Sequence, residues 1–319
     1  MSQAAPAGRP IAGRPIAGRL GRVRDSDLLY GFTRSPVAIV SAILVAACVI
    51  GAAGARWLAP HNPFDVASLS LLDSFKPPLP AAGSEWSYPL GTDEQGRDVL
   101  SAIMYGARVS LVVGLSAVVF AVVVGVAVGL FAGYAGGLLD SALMRAADVQ
   151  LTFPSILMAL LVDGVIGASL PPVMKADLQL GVLIFAIGIS RWPQFARTVR
   201  GSTLVERNKE YVAAARVIGL GSGRIMATHI LPNVLGPVFV LGTLTLGLAI
   251  LDEATLSFLG VGLPPTQPSL GTLIRIGDDF LFSGQWWVTI FPGAALVLMV
   301  LSVNLFGDWL RDALNPRLR

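Results

Sequence analysis

Long apolar stretches alternate with shorter polar segments along most of this chain. Six of these stretches are long enough to cross a bilayer as helices, because about 20 apolar residues span its hydrocarbon core. They cover residues 37–58, 109–133, 149–168, 178–196, 230–251 and 286–307. The pattern therefore predicts an all-α, polytopic membrane protein with six transmembrane helices.

The composition agrees with a protein that lies mostly in a membrane. Hydrophobic residues make up 54% and charged residues only 13% of the 319 residues, whereas a soluble domain carries about 25% charged residues. The net charge of +3 gives no indication of nucleic-acid binding. The single cysteine, Cys48, lies in an apolar stretch, so we expect it to face lipid or a neighbouring helix rather than to form a disulfide.

Small residues are frequent within the predicted spans, most clearly between Val113 and Gly133. Small residues let helix backbones approach closely inside lipid, where no hydrophobic force draws helices together. Prolines lie in or near several spans, and we expect each of them to bend its helix. These prolines are Pro154, Pro232, Pro237 and Pro292.

Two polar regions flank the first span. Residues 1–35 contain the near-exact repeat AGRPI-AGRPI-AGRL between Ala7 and Leu20, a composition that cannot bury a core and predicts a disordered basic tail. We expect its arginines to retain the N-terminus in the cytoplasm, with contact to anionic membrane lipid as the alternative. Residues 59–105 are too short and too rich in proline for a large domain and are predicted to form an extracytoplasmic segment.

The distribution of basic residues predicts the orientation in the membrane. Six spans place both termini on one side, and the polar regions of that side hold 16 Lys and Arg residues against 6 on the other side. Because cytoplasmic loops carry the excess of Lys and Arg, both termini and the loop at 197–229 are predicted to be cytoplasmic.

The polar segment from Glu210 to Asn233 reads as two short helices joined at glycines. Glycine favours the left-handed backbone geometry at a helix C-terminus, so Gly219 is predicted to end the first helix. Ser222 is expected to cap the second helix, and Pro232 to begin a further one. One side of the first helix is predicted to be small and apolar, because helical spacing joins Tyr211, Ala214, Ala215 and Ile218.

This segment resembles the cytoplasmic "EAA" loop of membrane subunits from binding-protein-dependent ABC importers. The matching positions are Glu210, Ala213, Ala214, Gly219 and Ile230 to Pro232, with Arg216, Arg224, His229 and Asn233 as in the peptide branch. The resemblance implies that the helix from Glu210 to Leu220, including Tyr211, fits a groove on an ATP-hydrolysing subunit. It also implies that this helix carries the motion of that subunit into the membrane.

A second stretch, from Gly91 to Leu111, resembles the signature of dipeptide, oligopeptide and nickel importer subunits of the C-type. The matching residues are Gly91, Thr92, Asp93, Gly96, Arg97, Asp98, Tyr105, Gly106, Ala107 and Arg108. Stretches at 254–274, 286–293 and 304–317 resemble the same branch, so the likeness runs from about residue 35 to the C-terminus. One departure is Asn315, where the family commonly has aspartate.

The acidic part of this signature also raises the hypothesis of a catalytic carboxylate cluster, formed by Asp93, Glu94 and Asp98 with Arg97. We favour a structural interpretation, in which the turn caps a helix and pairs its charges. The two histidines, His61 and His229, fall on opposite sides of the predicted membrane. A metal site is therefore not predicted.

Motifs for nucleotide or hydrolytic chemistry are absent from the sequence. None of the three lysines follows a glycine, so the chain contains no P-loop to hold nucleotide phosphates. The G-x-S-x-G and H-E-x-x-H patterns are also missing. We therefore predict no catalytic residue and no cofactor in this chain, and we expect ATP and Mg²⁺ to be bound by partner ATPase subunits.

Four charged residues fall within or at the ends of predicted spans, where charge is costly and frequently functional. Asp163, Asp252 and Glu253 are candidates for a translocation path or gate near the outer face. The alternative is that these carboxylates reach water at the interface. Arg191 falls near the predicted cytoplasmic end of its span, and we expect its guanidinium to extend to the interface.

The family resemblance implies the type I ABC importer transmembrane fold for a non-catalytic permease subunit, located in the cytoplasmic (inner) membrane of a bacterium. It further implies a homologous B-type permease, two ATP-binding subunits and an extracytoplasmic peptide-binding protein as partners. Nickel or another small solute is the alternative substrate, and an ion-coupled secondary transporter or a membrane enzyme is the alternative class. The predicted organisation is a tail at 1–35, a first transmembrane helix at 36–58, an extracytoplasmic segment at 59–105, a core at 106–307 and a cytoplasmic tail at 308–319.

Overall fold

The computed structural model of the protein describes residues 32–65, 69–169, 171–264 and 267–314. Within these ranges the chain is mostly helical and contains no strand, only an isolated bridge between Thr92 and Asp98. The helices are α1 (Pro36–Ala53), α2 (Ala55–Leu58), α3 (Val99–Ala135), α4 (Gly137–Leu151), α5 (Ser155–Ser169), α6 (Pro172–Glu206), α7 (Glu210–Val217), α8 (Ser222–Ile225), α9 (Leu231–Phe258), α10 (Leu270–Asp278) and α11 (Trp287–Leu314).

Several of these helices are long and apolar enough to cross a membrane. Among the described residues, four stretches qualify as single helices: α1, α3, residues 222–258 and most of α11. The bent pair α4 and α5 makes a fifth if it is counted as one span. The prediction of an all-α polytopic membrane protein is confirmed. The predicted span at 178–196 lies within α6, which is not among these candidates, so the number of six remains a prediction.

Helix α3 begins about ten residues before the predicted span at 109–133. Its N-cap is Asp98, whose carboxylate accepts a hydrogen bond from the Ser101 amide. With 37 residues, α3 is about 55 Å long at 1.5 Å per residue. Apolar periodicity alone misses this start because the cap and the first two turns are partly polar.

Helices α3 and α6 approach each other so closely that their backbones touch. Gly125, Gly129 and Gly133 lie four residues apart and form one stripe along α3. A Cβ atom on Gly129 would lie 2.4 Å from the Ala196 carbonyl oxygen, and one on Gly125 would lie 2.4 Å from Cβ of Phe195. The predicted close packing through small residues is confirmed for this helix pair.

A sharp bend separates α4 from α5. The two helices meet at 96° across a break that contains Pro154, which lacks an amide donor and so cannot continue α4 without loss of a hydrogen bond. The predicted bend at Pro154 is confirmed. The predicted span at 149–168 begins in the last three residues of α4 and continues through α5.

Helix α6 continues to Glu206, ten residues beyond the predicted end of its span at 196, and contains Pro193. A proline within a helix frees the carbonyl four residues earlier, which here belongs to Ile189. The side-chain amide of Gln150 in α4 donates a hydrogen bond to this carbonyl. The amide oxygen of Gln150 accepts a second hydrogen bond from Nε1 of Trp192 at 2.9 Å. One glutamine therefore replaces the donor that Pro193 lacks.

The two ends of the described chain pack against each other. The ring of Phe32 lies 5.0 Å from that of Trp309, edge to face, so residue 32 is not part of a free tail. The rest of the predicted disordered tail, up to residue 31, lies outside the described residues, as does Asn315. Residues 308–314 of the predicted C-terminal tail are helical, because α11 continues to Leu314.

Candidate functional site

The helix predicted to couple to a partner, α7, has a well-defined end. Gly219 has φ of +82°, the left-handed conformation that glycine adopts without strain. Its amide donates to the Arg216 carbonyl at 3.0 Å, and the Leu220 amide donates to the Ala215 carbonyl at 3.1 Å. This pair of hydrogen bonds is the Schellman motif, and it confirms the predicted stop at Gly219.

One side of α7 packs on the rest of the protein and the other side is open. Val212 and Ala215 are buried, in a cluster with the buried residues Ile225, Ile230 and Val234. The opposite side, here called the exposed apolar face, consists of Ala213, Ala214, Val217 and Ile218. The side chains of Val217 and Ile218 are 87% and 75% exposed.

The predicted apolar side of α7 therefore does not form one environment. Tyr211 is half-buried and Ala215 is buried, whereas Ala214 and Ile218 are exposed. The helical spacing of these four residues was read correctly. The helix carries apolar residues on both sides, so spacing alone cannot indicate which side is covered.

A polar network lies beneath α7 and joins it to two longer helices. The Tyr211 hydroxyl donates to Glu206 Oε2 at 2.6 Å and accepts from Asn233 Nδ2 at 3.2 Å. Asn233 also donates to the His229 carbonyl at 2.7 Å. Burial, followed by the neighbouring Glu206 carboxylate, raises the pKa of Tyr211 to about 12. The hydroxyl therefore remains protonated near neutral pH and can donate to Glu206.

Two arginines contact the end of α3 near α7. Arg216 of α7 lies over the ring of Tyr134, 5.5 Å from its centroid. Arg207, which follows α6, donates to the Gly133 carbonyl at 2.7 Å. Together with the network under α7, these contacts place the ends of α3, α6 and α9 around the same short helix.

The segment after α7 differs from the prediction in two details. The N-cap of α8 is Gly221, and Ser222 is the first helical residue without a side-chain capping bond. Pro232 lies in the first turn of α9, as predicted for the start of a helix, but a π-helical turn at Met226–Ile230 joins α9 directly to α8. A π turn has hydrogen bonds between residues five apart and occurs as a single turn within a longer α-helix. Arg224 lies exposed on α8 and His229 lies within the π turn.

The signature turn is held by internal hydrogen bonds. Asp93 accepts from the Arg97 side chain at 2.6 Å and from the Arg97 amide at 2.9 Å, and both residues are buried. Gly91 and Gly96 have positive φ angles, and a Cβ atom on Gly96 would lie 2.3 Å from the Ser70 carbonyl oxygen. With Asp98 as the N-cap of α3, the structural interpretation of this turn is confirmed.

Thr92 connects the signature turn to the rest of the segment that precedes α3. Its hydroxyl donates to the Asp73 carbonyl at 2.5 Å and accepts from the Lys76 amide at 2.8 Å, while its carbonyl accepts from Trp287 Nε1 at 3.0 Å. The turn is thereby fixed to the start of α11.

The last two signature residues, Tyr105 and Arg108, lie in α3 and line a cleft of about 500 Å³. The Tyr105 ring packs edge to face against Phe64 at 5.2 Å. The cleft is lined by Phe64, Tyr105, Arg108, Val109, Val112, Leu180 and Gln267.

The charged residues at membrane depth are buried and joined to other helices. Arg191 donates to Asp252 Oδ2 from Nε at 2.9 Å and from Nη2 at 2.5 Å. The prediction that Arg191 extends to the cytoplasmic interface is wrong, because the longer α6 places it in mid-helix. The carboxylate of Glu253, which is fully buried, accepts from the hydroxyls of Ser110 at 2.6 Å and Ser257 at 2.7 Å.

Asp163 is also buried, and it accepts from Gln179 Nε2 at 3.2 Å. The same Gln179 nitrogen lies 3.2 Å from the Val261 carbonyl oxygen. The alternative that Asp163, Asp252 and Glu253 reach water is therefore wrong. Their role in a path or gate stays a prediction.

Sequence reasoning missed several residues that complete these sites. Glu206 and Gln150 carry the hydrogen bonds under α7 and at Pro193, but neither belongs to a recognised motif. Ser110 and Gln179 are polar residues at membrane depth without charge, so a search for charged residues overlooks them. A search for every hydrogen-bonding side chain within the apolar spans would have found these two.

Comparison with known proteins shows the family to which this chain belongs. The family model described as "Binding-protein-dependent transport system inner membrane component" matches residues 125–319. The dipeptide transport system permease protein DppC of Escherichia coli (strain K12) is 42% identical over 288 residues, which cover 90% of this chain and 91% of that protein. The di/tripeptide transport system permease protein DppC of Pseudomonas aeruginosa (strain UCBPP-PA14) is 37% identical over 265 residues, 83% of each chain.

A solved structure shows the same fold. One chain of the MetNI methionine ABC transporter in an inward-facing conformation superposes with a TM-score of 0.50 and 20% identity. The superposition covers 67% of this chain and 96% of that one. The chain therefore belongs to the family of inner-membrane components of binding-protein-dependent transport systems, and it is a multi-pass permease subunit of an ABC importer.

Proposed function

We propose that this subunit is the C-type permease of a peptide importer and forms half of the translocation path for di- or oligopeptides. The names of its relatives in Escherichia coli and Pseudomonas aeruginosa support a short peptide as substrate. A homologous B-type permease forms the other half of the path. Nickel or another small solute of the same importer branch is the alternative substrate.

The exposed apolar face of α7 is the observation that supports coupling of this subunit to ATP hydrolysis. Val217 and Ile218 are apolar and largely exposed on a helix whose other side is fully packed. Contiguous exposed apolar residues on an ordered helix mark a contact surface. Two partner subunits bind and hydrolyse ATP with Mg²⁺, and a groove on one of them receives the exposed apolar face together with Glu210.

The excess of Lys and Arg on one side supports cytoplasmic termini and a cytoplasmic α7. The signature turn and the polar segment before α3 then face the outside, where an extracytoplasmic peptide-binding protein delivers the substrate. ATP-driven motion of the partners moves α7 and changes the access of the path between the two sides.

The three buried carboxylates act in this cycle through the helices that they join. Glu253 is too buried to receive a peptide amine in the conformation described here. Asp252 joins α9 to α6, Glu253 joins α9 to α3, and Asp163 joins α5 to α6. Their proposed contribution to gating is to hold the helices together while the path is closed.

Purification of the tagged chain in mild detergent tests the proposed function. We expect a second permease and ATP-binding subunits to copurify, and a peptide-loaded binding protein to raise the ATPase activity. Uptake of a labelled dipeptide into proteoliposomes, in competition with Ni²⁺, identifies the substrate. Recovery of the chain alone, with solute transport driven by an ion gradient and no ATP, would contradict the proposal and indicate a secondary transporter.

A further inference from the structure

We propose that Tyr211, together with Glu206 and Asn233, is a positioning residue that sets the orientation of α7 relative to α6 and α9. This inference rests on the proposed function, because it assigns to these residues the transfer of ATPase motion into the membrane helices. None of the three touches the nucleotide or the transported peptide in this proposal. The three residues are called the α7 network below.

The α7 network joins three helices at one atom. Glu206 is the last residue of α6, Tyr211 is the second residue of α7 and Asn233 is the third residue of α9. The Tyr211 hydroxyl uses its proton toward Glu206 and its lone pair toward Asn233, at 2.6 and 3.2 Å. A displacement of α7 therefore acts on both long helices at once.

The tyrosine ring is held at its face as well as at its hydroxyl. The ring of His229 lies nearly parallel to it, with centroids 6.5 Å apart and an interplanar angle of 16°. The carbonyl of His229 accepts from Asn233 at 2.7 Å. The network thus includes the π-helical turn that leads into α9.

The apolar contacts of α7 hold the helix against the protein but do little to fix its rotation about its own axis. Val212 and Ala215 are buried, yet contacts of such small apolar side chains are not directional. Hydrogen bonds lose strength steeply when their angles depart from linearity. The Tyr211 hydroxyl consequently resists rotation of α7 about its own axis when a partner pulls on the exposed apolar face, in addition to the contact of Arg216 with Tyr134.

The substitution Tyr211→Phe tests this assignment, because it keeps the ring and removes only the hydroxyl. The complex is reconstituted in proteoliposomes with its ATPases and binding protein, and both ATP hydrolysis and peptide uptake are measured. We expect peptide transported per ATP to fall about five-fold, as for the loss of one net hydrogen bond, while copurification of the ATPases is unchanged. Tyr88→Phe is the matched control, since it deletes a hydroxyl that donates to Asp73 at 3.4 Å in the outer segment, and it should leave the ratio unchanged.

A comparison of Glu206→Gln with Glu206→Ala distinguishes a positioning role of Glu206 from a role in stability alone. The glutamine amide oxygen can still accept from Tyr211, so Glu206→Gln should retain most of the uptake per ATP, whereas Glu206→Ala should resemble Tyr211→Phe. If Tyr211→Phe fails to assemble, the comparison of these two Glu206 variants still tests the proposal.

An unchanged ratio of uptake to ATP hydrolysis in Tyr211→Phe, or equal ratios in the two Glu206 variants, would overturn the inference while the proposed function stands. A wild-type complex without ATPases or without peptide uptake would instead overturn the proposed function.

Discussion

Two regions of the protein differ in how completely they are packed. Helices α3 and α6 are in close contact, whereas α7 is packed on one side and exposed on the other. Along α3, glycines bring two backbones into contact, and a Cβ atom on Gly129 would already collide with the Ala196 carbonyl. Around α7, the polar atoms beneath the helix are paired, but apolar side chains on its other side remain exposed.

This difference shows which part of the subunit is complete without a partner. Inside a membrane, close backbone packing and paired polar groups stabilise a helix bundle. On α7, by contrast, Val217 and Ile218 are exposed on an ordered helix, and this is the surface that we propose an ATPase subunit covers. Substitutions in the first region should therefore damage the chain itself, and those on the exposed apolar face should damage only assembly.

The largest effect is expected from Asp252→Ala, which leaves Arg191 buried without its carboxylate. Removal of one partner of a buried ion pair destabilises a protein by about 3–5 kcal/mol. Thermal unfolding of the purified subunit in detergent measures the loss. The double variant Arg191→Leu with Asp252→Leu should recover most of the stability, and a double variant as unstable as Asp252→Ala would contradict this account.

A smaller loss is expected from Gly129→Leu, because the new side chain has no space against α6. Overpacking of this kind costs about 1–3 kcal/mol, and the yield of folded subunit should fall. Gly181→Leu is the control on the same helix pair, because a Cβ atom at Gly181 meets no atom within 4 Å. Equal stability of the two variants would show that the α3–α6 contact adapts to a larger residue.

A change on the exposed apolar face should leave the subunit folded and weaken its assembly. In Ile218→Asp, a charge replaces a residue that is 75% exposed, so we expect unchanged thermal unfolding of the isolated chain. Binding of the ATPase subunits should weaken by about 2 kcal/mol or more, the size of an interface hot spot. Pull-down titration measures this loss, and Ile218→Val should bind as the wild type does. Unchanged binding by Ile218→Asp would exclude this face as the docking surface.

The smallest effect is expected from Glu85→Gln in the segment that precedes α3. Glu85 is half-exposed, and its partner Lys76 also pairs with Asp73 at 2.5 Å. An exposed ion pair contributes about 1 kcal/mol or less, so neither stability nor assembly should change measurably. A large loss of binding-protein-stimulated ATPase activity would show that this side of the subunit is also a docking surface.

Local chemistry made part of the fold predictable from sequence. The stop of α7 at Gly219 and the turn from Gly91 to Asp98 depend on residues within a few positions, and both were predicted correctly. The N-cap of α8 was not, because Gly221 and Ser222 are adjacent and both are favourable at that position.

Contacts between distant parts of the chain could not be predicted in this way. The depth of Arg191 depends on Asp252, which lies 61 residues later, and no local pattern indicates that pairing. The start of α3 and the end of α6 were missed because partly polar turns continue each helix beyond its apolar stretch. The hydroxyl of Tyr211 finds both of its partners on other helices, so its position was also not predictable.

The side chain of Gln150 gives α6 a property that an unbroken helix does not have. At Pro193 the carbonyl of Ile189 is bonded by a glutamine of α4 instead of by the backbone of its own helix. Because Pro193 has no amide hydrogen, there is no backbone hydrogen bond from residue 193 to this carbonyl. The geometry of α6 at Pro193 is therefore tied to the position of α4 through a side-chain hydrogen bond.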